Sequence, residues 1–145
     1  MSEMLSASQI DAAVRILRAA FPRAEAIYLY GSAACGALDA AGRSDIDIAV
    51  LLPHEEAKVS GSLAFSEARF QLEEALGREI DLVNARIAPI VLQKEIISGG
   101  TCLFSGDSRR VEAYEMHVLS MYGKLNEERR AILEAFYASG KAYRV

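Results

Sequence analysis

The chain has 145 residues, 52% of them hydrophobic and 25% charged; this is enough to build one buried core and too little for two full domains. Sixteen Lys plus Arg against twenty Asp plus Glu give a formal charge of -4 and a pI near 5.2, which argues against a globally basic nucleic-acid binder and, with so large an apolar share, against wholesale disorder. No run reaches the roughly eighteen apolar residues of a membrane span, and Met1 to Ser8 lacks a basic stretch followed by an apolar one, so a cytoplasmic protein with no membrane partner is expected.

Ile10, Ala13, Val14, Leu17 and Phe21 recur at three- and four-residue spacing before Pro22, which predicts an amphipathic helix. Ala26 to Tyr30 is aromatic and β-branched and stops at Gly31, the pattern of a strand running into a tight turn. Ala33 to Ser44 is small and glycine-containing. Asp45 to Leu52 alternates acid and apolar residues and then becomes wholly apolar, predicting a strand that enters the core; Pro53 to Gly61 reads as a polar loop. Phe65, Ala68, Leu72 and Leu76 mark a second helix closed near Gly77, and Ile80 to Val83 a third strand with Asp81 inside it. Ala88 to Ser98 has helical rhythm, Thr101 to Phe104 resembles a fourth strand, and from Ser108 onward a stripe through Val111, Tyr114, Val118 and Leu125 predicts a helical tail. A break is expected near Gly123 to Asn126, with Ile132, Leu133 and Phe136 resuming the stripe.

Strands and helices therefore alternate in one α/β domain with no linker or repeat. Residues 1–106 carry nine basic and fourteen acidic groups, whereas residues 107–145 carry seven and six, so the chain divides into a body (1–106) and a helical C-terminal extension (107–145) packed on the same domain. Cys35 and Cys102 lie far apart without CxxC or Cys/His spacing, which indicates neither a disulfide nor a zinc site and marks both as small buried hydrophobes. His54 and His117 have no second ligand at metal spacing, and Ser32 has no partners for a nucleophile motif.

The chemistry concentrates between Tyr30 and Leu51. Asp45 and Asp47, at i and i+2 of one strand, point to the same face with Cα atoms about 6.7 Å apart. Their mutual repulsion is roughly 2 to 3 kcal/mol at an effective dielectric near 20, for which a divalent cation is the natural compensation, and oxygen-only ligands favour magnesium or manganese. A solvated strand end is the bland alternative, since water screens such a pair. Gly31 and Ser32 form a turn whose N–H groups and hydroxyl can hold a phosphate oxygen. Asp81, between Ile80 and Leu82, needs a partner if buried, and the Asp pair can supply one through shared metal, giving a site for two divalent ions. Asp81 bonding to a turn is the plain alternative.

Tyr28-Leu-Tyr-Gly-Ser32, Ser44-Asp-Ile-Asp-Ile-Ala-Val50 and Glu79-Ile-Asp-Leu-Val83 together resemble the DNA polymerase beta-like nucleotidyltransferase superfamily and, within it, the minimal nucleotidyltransferases. Ala88-Pro-Ile to Ile97, Leu103-Phe-Ser-Gly-Asp107 and the Glu112 to Tyr122 helix are similar to the MntA-type antitoxins of HEPN/MNT toxin–antitoxin pairs, so the resemblance covers nearly the whole chain. It implies a nucleotidyltransferase fold, a small mixed β-sheet flanked by helices. It also implies that Gly31 and Ser32 contact the triphosphate of ATP, that Asp45, Asp47 and Asp81 bind magnesium, and that Asp81 helps deprotonate the attacking hydroxyl. The implied function is transfer of AMP to a tyrosine of a cognate HEPN ribonuclease toxin, with self-association or a hetero-oligomer with the toxin. A small-molecule, aminoglycoside-type nucleotidyltransferase and a non-catalytic toxin-binding module are the alternatives. The chain departs from the pattern in its Gly-Ser to Asp-x-Asp spacer: Ala33 to Ser44 is twelve residues, longer than the family's usual one, and Arg43 is its sole cation.

Overall fold

The computed structural model describes residues 5–31 and 45–139. Helix α1 (Ala7–Ala20) starts at Ser6, whose hydroxyl accepts from the Gln9 N–H while the Gln9 side chain accepts from the Ser6 N–H, a reciprocal cap that satisfies two otherwise orphaned donors. Strand β1 (Ala26–Tyr30) is buried throughout, and β2 (Ile46–Leu51) nearly so. The span 53–61, expected as a polar loop, instead contains helix α2 (His54–Ser60). Pro53 pre-sets the helical entry, and Glu55 and Glu56 favour the positive N-terminal end, while Ala57 supplies the single buried anchor. So short a helix shows too little periodicity to register as one.

Helix α3 (Glu67–Leu76) is capped by the Ser66 hydroxyl, which accepts from the Arg69 N–H, and is closed by Gly77 at φ 67°. Phe65, expected on its apolar face, lies ahead of the helix and is 85% exposed. Strand β3 (Ile80–Asn84) leads through a 3-10 turn (Ala85–Ile87) into α4 (Ile90–Gly99), then β4 (Thr101–Ser105) and α5 (Ser108–Ser139). The break expected near Gly123 to Asn126 is absent: α5 runs unbroken for 32 residues. The cost of one mid-helix glycine, about 1 kcal/mol, is outweighed by the strong helix formers that follow, from Lys124 to Ala135.

The sheet order is β3-β2-β1-β4, with β1 antiparallel to both β2 and β4 and β2 parallel to β3. One face, through Ile27, Leu29, Ile46, Ile48 and Leu82, packs with α1 and α3 residues such as Leu17 and Leu72. The other, through Tyr28, Tyr30, Ala49 and Leu51, packs against Ile96 of α4 and Val111, Tyr114 and Val118 of α5. Cys102, expected to be buried, is exposed on β4; its strand is the sheet's far edge, where burial is incomplete. Cys35 lies outside the described residues. Among the described residues no helix is long and apolar enough to cross a membrane.

Candidate functional site

Period-two alternation along β1, β2 and β3 gathers three polar side chains into one row across the sheet. Tyr30 is the register partner of Asp47, and Asp47 is the register partner of Asp81. All three stand on the α4/α5 face, at the end of β1 where the chain turns at Gly31. Strand β1 delivers that turn next to Asp47 because β1 and β2 run antiparallel.

Asp47 is only partly exposed, and burial, the charges of Asp81 and Asp45 and a hydrogen bond to Asp81 push its carboxyl from the ordinary 3.8 up to about 6. Burial and the same acids, Asp81 then Asp47 then Glu95, drive the Tyr30 phenol well above its ordinary range, so it stays protonated. Asp45 sits just ahead of β2, exposed, and reaches Asp47 through its charge. Asp81 is exposed on β3. Among the described residues no three His, Cys, Asp or Glu side chains are gathered tightly enough to enclose an ion by themselves; Asp47 and Asp81 form the close pair.

Gly31 has φ +70°, and a Cβ there would collide with the Asp47 carboxylate, whose Cγ would lie at 3.3 Å. Two constraints thus fix glycine at this position: left-handed backbone and close approach to an acid. Ser32, the other phosphate contact expected from the sequence, and Arg43 lie outside the described residues. The donor set is all oxygen and carries like charges at close range, which suits a hard divalent cation: one bound there would reverse the repulsion that holds the Asp47 proton.

Sequence reasoning missed a polar cluster at the opposite end of the strands. Arg86 donates to the Leu52 carbonyl at 2.7 Å and to Glu25 at 2.6 Å, and stands 3.0 Å from His54 Nε2. Glu25, His54 and Arg86, with Arg110, Tyr114 and His117, line a cavity of about 390 Å³. Its members come from α2, the 3-10 turn, α5 and the residue ahead of β1, so no local motif announces it. The Tyr28 hydroxyl donates to Glu115 at 2.6 Å and the Tyr114 hydroxyl to Gln93 at 2.8 Å, tying α5 to the sheet and to α4.

Comparison with known proteins places the chain among relatives. The family described as "Polymerase beta, Nucleotidyltransferase" matches residues 13–109. The chain is 35% identical over 133 residues to protein adenylyltransferase MntA of Shewanella oneidensis, covering 90% of this chain and 91% of that protein. A chain in a crystal structure of a toxin-antitoxin with AMP-PNP superposes with a TM-score of 0.68 at 32% identity, over 88% of this chain and 98% of that one. A structure of tri-AMPylated Shewanella oneidensis HEPN toxin in complex with MNT antitoxin gives 0.65 at 30% identity, over 90% and 97%.

Proposed function

The chain belongs to the polymerase beta-type nucleotidyltransferase family, and on that premise we propose that it is a magnesium-dependent adenylyltransferase that moves AMP from ATP to a tyrosine hydroxyl of a cognate HEPN ribonuclease toxin, acting as its antitoxin. The observation that carries this is the register row of Asp47 and Asp81 beside the Gly31 turn, with the Asp45 charge acting on Asp47. Support for the acceptor comes from the relative named a protein adenylyltransferase and from the solved complex that holds an AMPylated HEPN toxin.

In this reading Asp45, Asp47 and Asp81 hold magnesium, two ions in all. Bound there, magnesium neutralises triphosphate charge and favours pyrophosphate as a leaving group. Gly31 brings backbone close to the phosphates where a side chain would intrude, and Ser32 adds a hydroxyl contact. Asp81, on the outer strand of the row, accepts the proton of the attacking tyrosine. The phenolic oxygen then bonds to the α-phosphorus as the bond from that phosphorus to the bridging oxygen breaks, and pyrophosphate departs. The protein's share is positioning and charge. We further assign residues 1–106 as the catalytic body, 107–145 as an extension on the same domain, and the cytoplasm as the location.

The test is incubation of the purified protein with magnesium, labelled ATP and the HEPN protein encoded beside it, followed by intact mass analysis. One or more AMP units on the partner, lost when Asp45 and Asp47 are both changed to Asn, is the expected result. A stable complex without added mass would leave a contact-only antitoxin instead.

A further inference from the structure

Three buried tyrosines, Tyr28, Tyr30 and Tyr114, share the cluster between the sheet and helices α4 and α5. Two of them spend their hydroxyls on the fold: Tyr28 donates to Glu115 at 2.6 Å and Tyr114 to Gln93 at 2.8 Å. The third, Tyr30, is 7% exposed, and its hydroxyl makes no hydrogen bond among the described residues. A phenol buried to this degree without a partner has given up most of its contact with water. Packing alone does not account for that cost, since a phenylalanine ring fills the same space without it.

The side chain is also aimed. Tyr30 is the register partner of Asp47, Asp47 is that of Asp81, and all three share one face. The Tyr30 ring packs in the cluster with Ala49 and Ile96, and Gly100 at the end of α4 presses on its root, where an added Cβ would stand 3.2 Å from Tyr30 Cβ. A tyrosine side chain is long enough to cross one strand spacing of about 4.8 Å, so the hydroxyl passes Asp47 and points toward Asp81. After burial itself, the charge that bears most on the phenol is that of Asp81, ahead of Asp47 and Glu95. Asp81 has use for a donor. It stands exposed on the edge strand β3, and its hydrogen-bond partner among the described residues is Asp47. Two carboxyl groups bond to each other only by sharing a proton, and a cation held between them displaces it, so a loaded site leaves Asp81 without that partner.

We propose that Tyr30 is a positioning residue of this site: its hydroxyl donates to the Asp81 carboxylate once a divalent cation occupies the acid row, in place of the bond from Asp47. The inference rests on the function proposed above and deepens it. A donor on one oxygen of Asp81 fixes the rotation of the carboxylate and leaves the other oxygen for the acceptor hydroxyl. It also favours the fully ionised row, because a hydrogen bond donated to a carboxylate offsets part of the repulsion between the acids.

The experiment uses the full chain. Tyr30→Phe removes one oxygen and keeps the ring; Tyr28→Phe is the matched control, two residues earlier on the same strand and face. Magnesium alone is titrated into each protein and followed by calorimetry. Tyr30→Phe is expected to weaken magnesium binding about tenfold or more, the effect of one hydrogen bond to a charged acceptor, and to leave the magnesium-free melting temperature unchanged. Tyr28→Phe, which takes the donor from Glu115, is expected to do the reverse. Proton NMR adds a direct sign: magnesium brings out a downfield hydroxyl resonance in the native chain that Tyr30→Phe lacks. With the HEPN partner, Tyr30→Phe lowers kcat for AMP transfer while KM for the acceptor holds. Native magnesium affinity in Tyr30→Phe overturns the donor and leaves the adenylyltransferase standing, and so does a variant that only melts lower. If the native chain binds magnesium but transfers no AMP, the enzymatic reading fails, and the titration still decides the donor. A native chain that binds no magnesium overturns both.

Discussion

Asp47 and Asp81 face one another in register across the parallel strands β2 and β3, and burial of Asp47, then the charges of Asp81 and Asp45 and a hydrogen bond to Asp81, push the Asp47 carboxyl up to about 6. Such a pair is costly to the folded chain. A carboxyl that titrates higher folded than unfolded makes the native state bind more protons between about pH 4 and 6, so stability falls as pH rises through that window, and the full deficit is present above it. Asp47→Asn removes the charge. Without metal, the variant should therefore melt higher than the native protein at pH 7.5 by about 3 °C, allowing for solvent screening of a partly exposed group, and the two should converge below about pH 4. Magnesium should raise the melting temperature of the native protein at pH 7.5 and leave the variant nearly unmoved. Thermal melts at the two pH values, with and without magnesium, check both statements.

Gly31 and Gly77 share left-handed backbone, φ 70° and 67°, and differ in what surrounds them. A Cβ at Gly77 meets nothing within 4 Å, whereas at Gly31 it meets the Asp47 carboxylate. Gly77→Ala should cost about 1 kcal/mol of stability through backbone strain alone and leave AMP transfer intact. Gly31→Ala carries the same strain and displaces Asp47, so transfer should fall at least about a hundredfold. Asn tolerates left-handed backbone better than Ala, yet Gly31→Asn should be as inactive, which separates the collision from the strain. Urea unfolding and mass analysis of the partner give the two readouts.

The legibility of this protein in its sequence follows from the length scale of each pattern. Strands β1 to β3 and the acids were readable because period-two alternation puts Asp47 on a definite face and because Gly31 punctuates a strand. The row itself was not readable: that Asp81 falls opposite Asp47 depends on the parallel β2–β3 register, which crosses more than thirty residues of chain. Helix α2 was hidden because its single buried residue, Ala57, leaves no stripe, and the continuity of α5 because Gly123 looks like a stop when tertiary context and neighbouring helix formers are unseen. Exposure of Cys102 depends on β4 being the sheet's outer strand, again a matter of topology. The placement of Ser32 lies outside the described residues.

Arg86 is the hub of the polar cluster at the far end of the strands. Its guanidinium joins the Leu52 carbonyl, just past β2, to Glu25 just ahead of β1, and it stacks 5.3 Å from the Tyr114 ring of α5. Both partners of the ion pair are largely buried, at 14% and 11% side-chain exposure. Arg110, 68% exposed and 3.5 Å from Glu25, is too solvated to replace it. Arg86→Met keeps the length and loses every donor, leaving the Glu25 charge and the Leu52 carbonyl without their main partner; a loss of about 3 kcal/mol in urea unfolding is expected. Because the cluster lies at the opposite end of the sheet from Asp47, the folded fraction should retain native transfer activity.

Helix α5 earns its place in the core within its first three turns. Val111, Tyr114 and Val118 are buried, the Tyr114 hydroxyl reaches Gln93 and Glu115 accepts from Tyr28. Beyond Tyr122 the helix leaves the body: Ile132, Leu133, Phe136 and Tyr137 are between 46% and 68% exposed. Ending the chain after Tyr122 should therefore change unfolding stability by no more than about 0.5 kcal/mol. Tyr114→Phe, a change of one atom, strands a buried amide oxygen and should cost more, about 1 to 2 kcal/mol. Urea denaturation of the two proteins beside the full chain tests the ordering. A truncation costlier than Tyr114→Phe would mean that the outer half of α5 contributes to the fold through contacts with another molecule in solution, which the concentration dependence of the unfolding midpoint would expose.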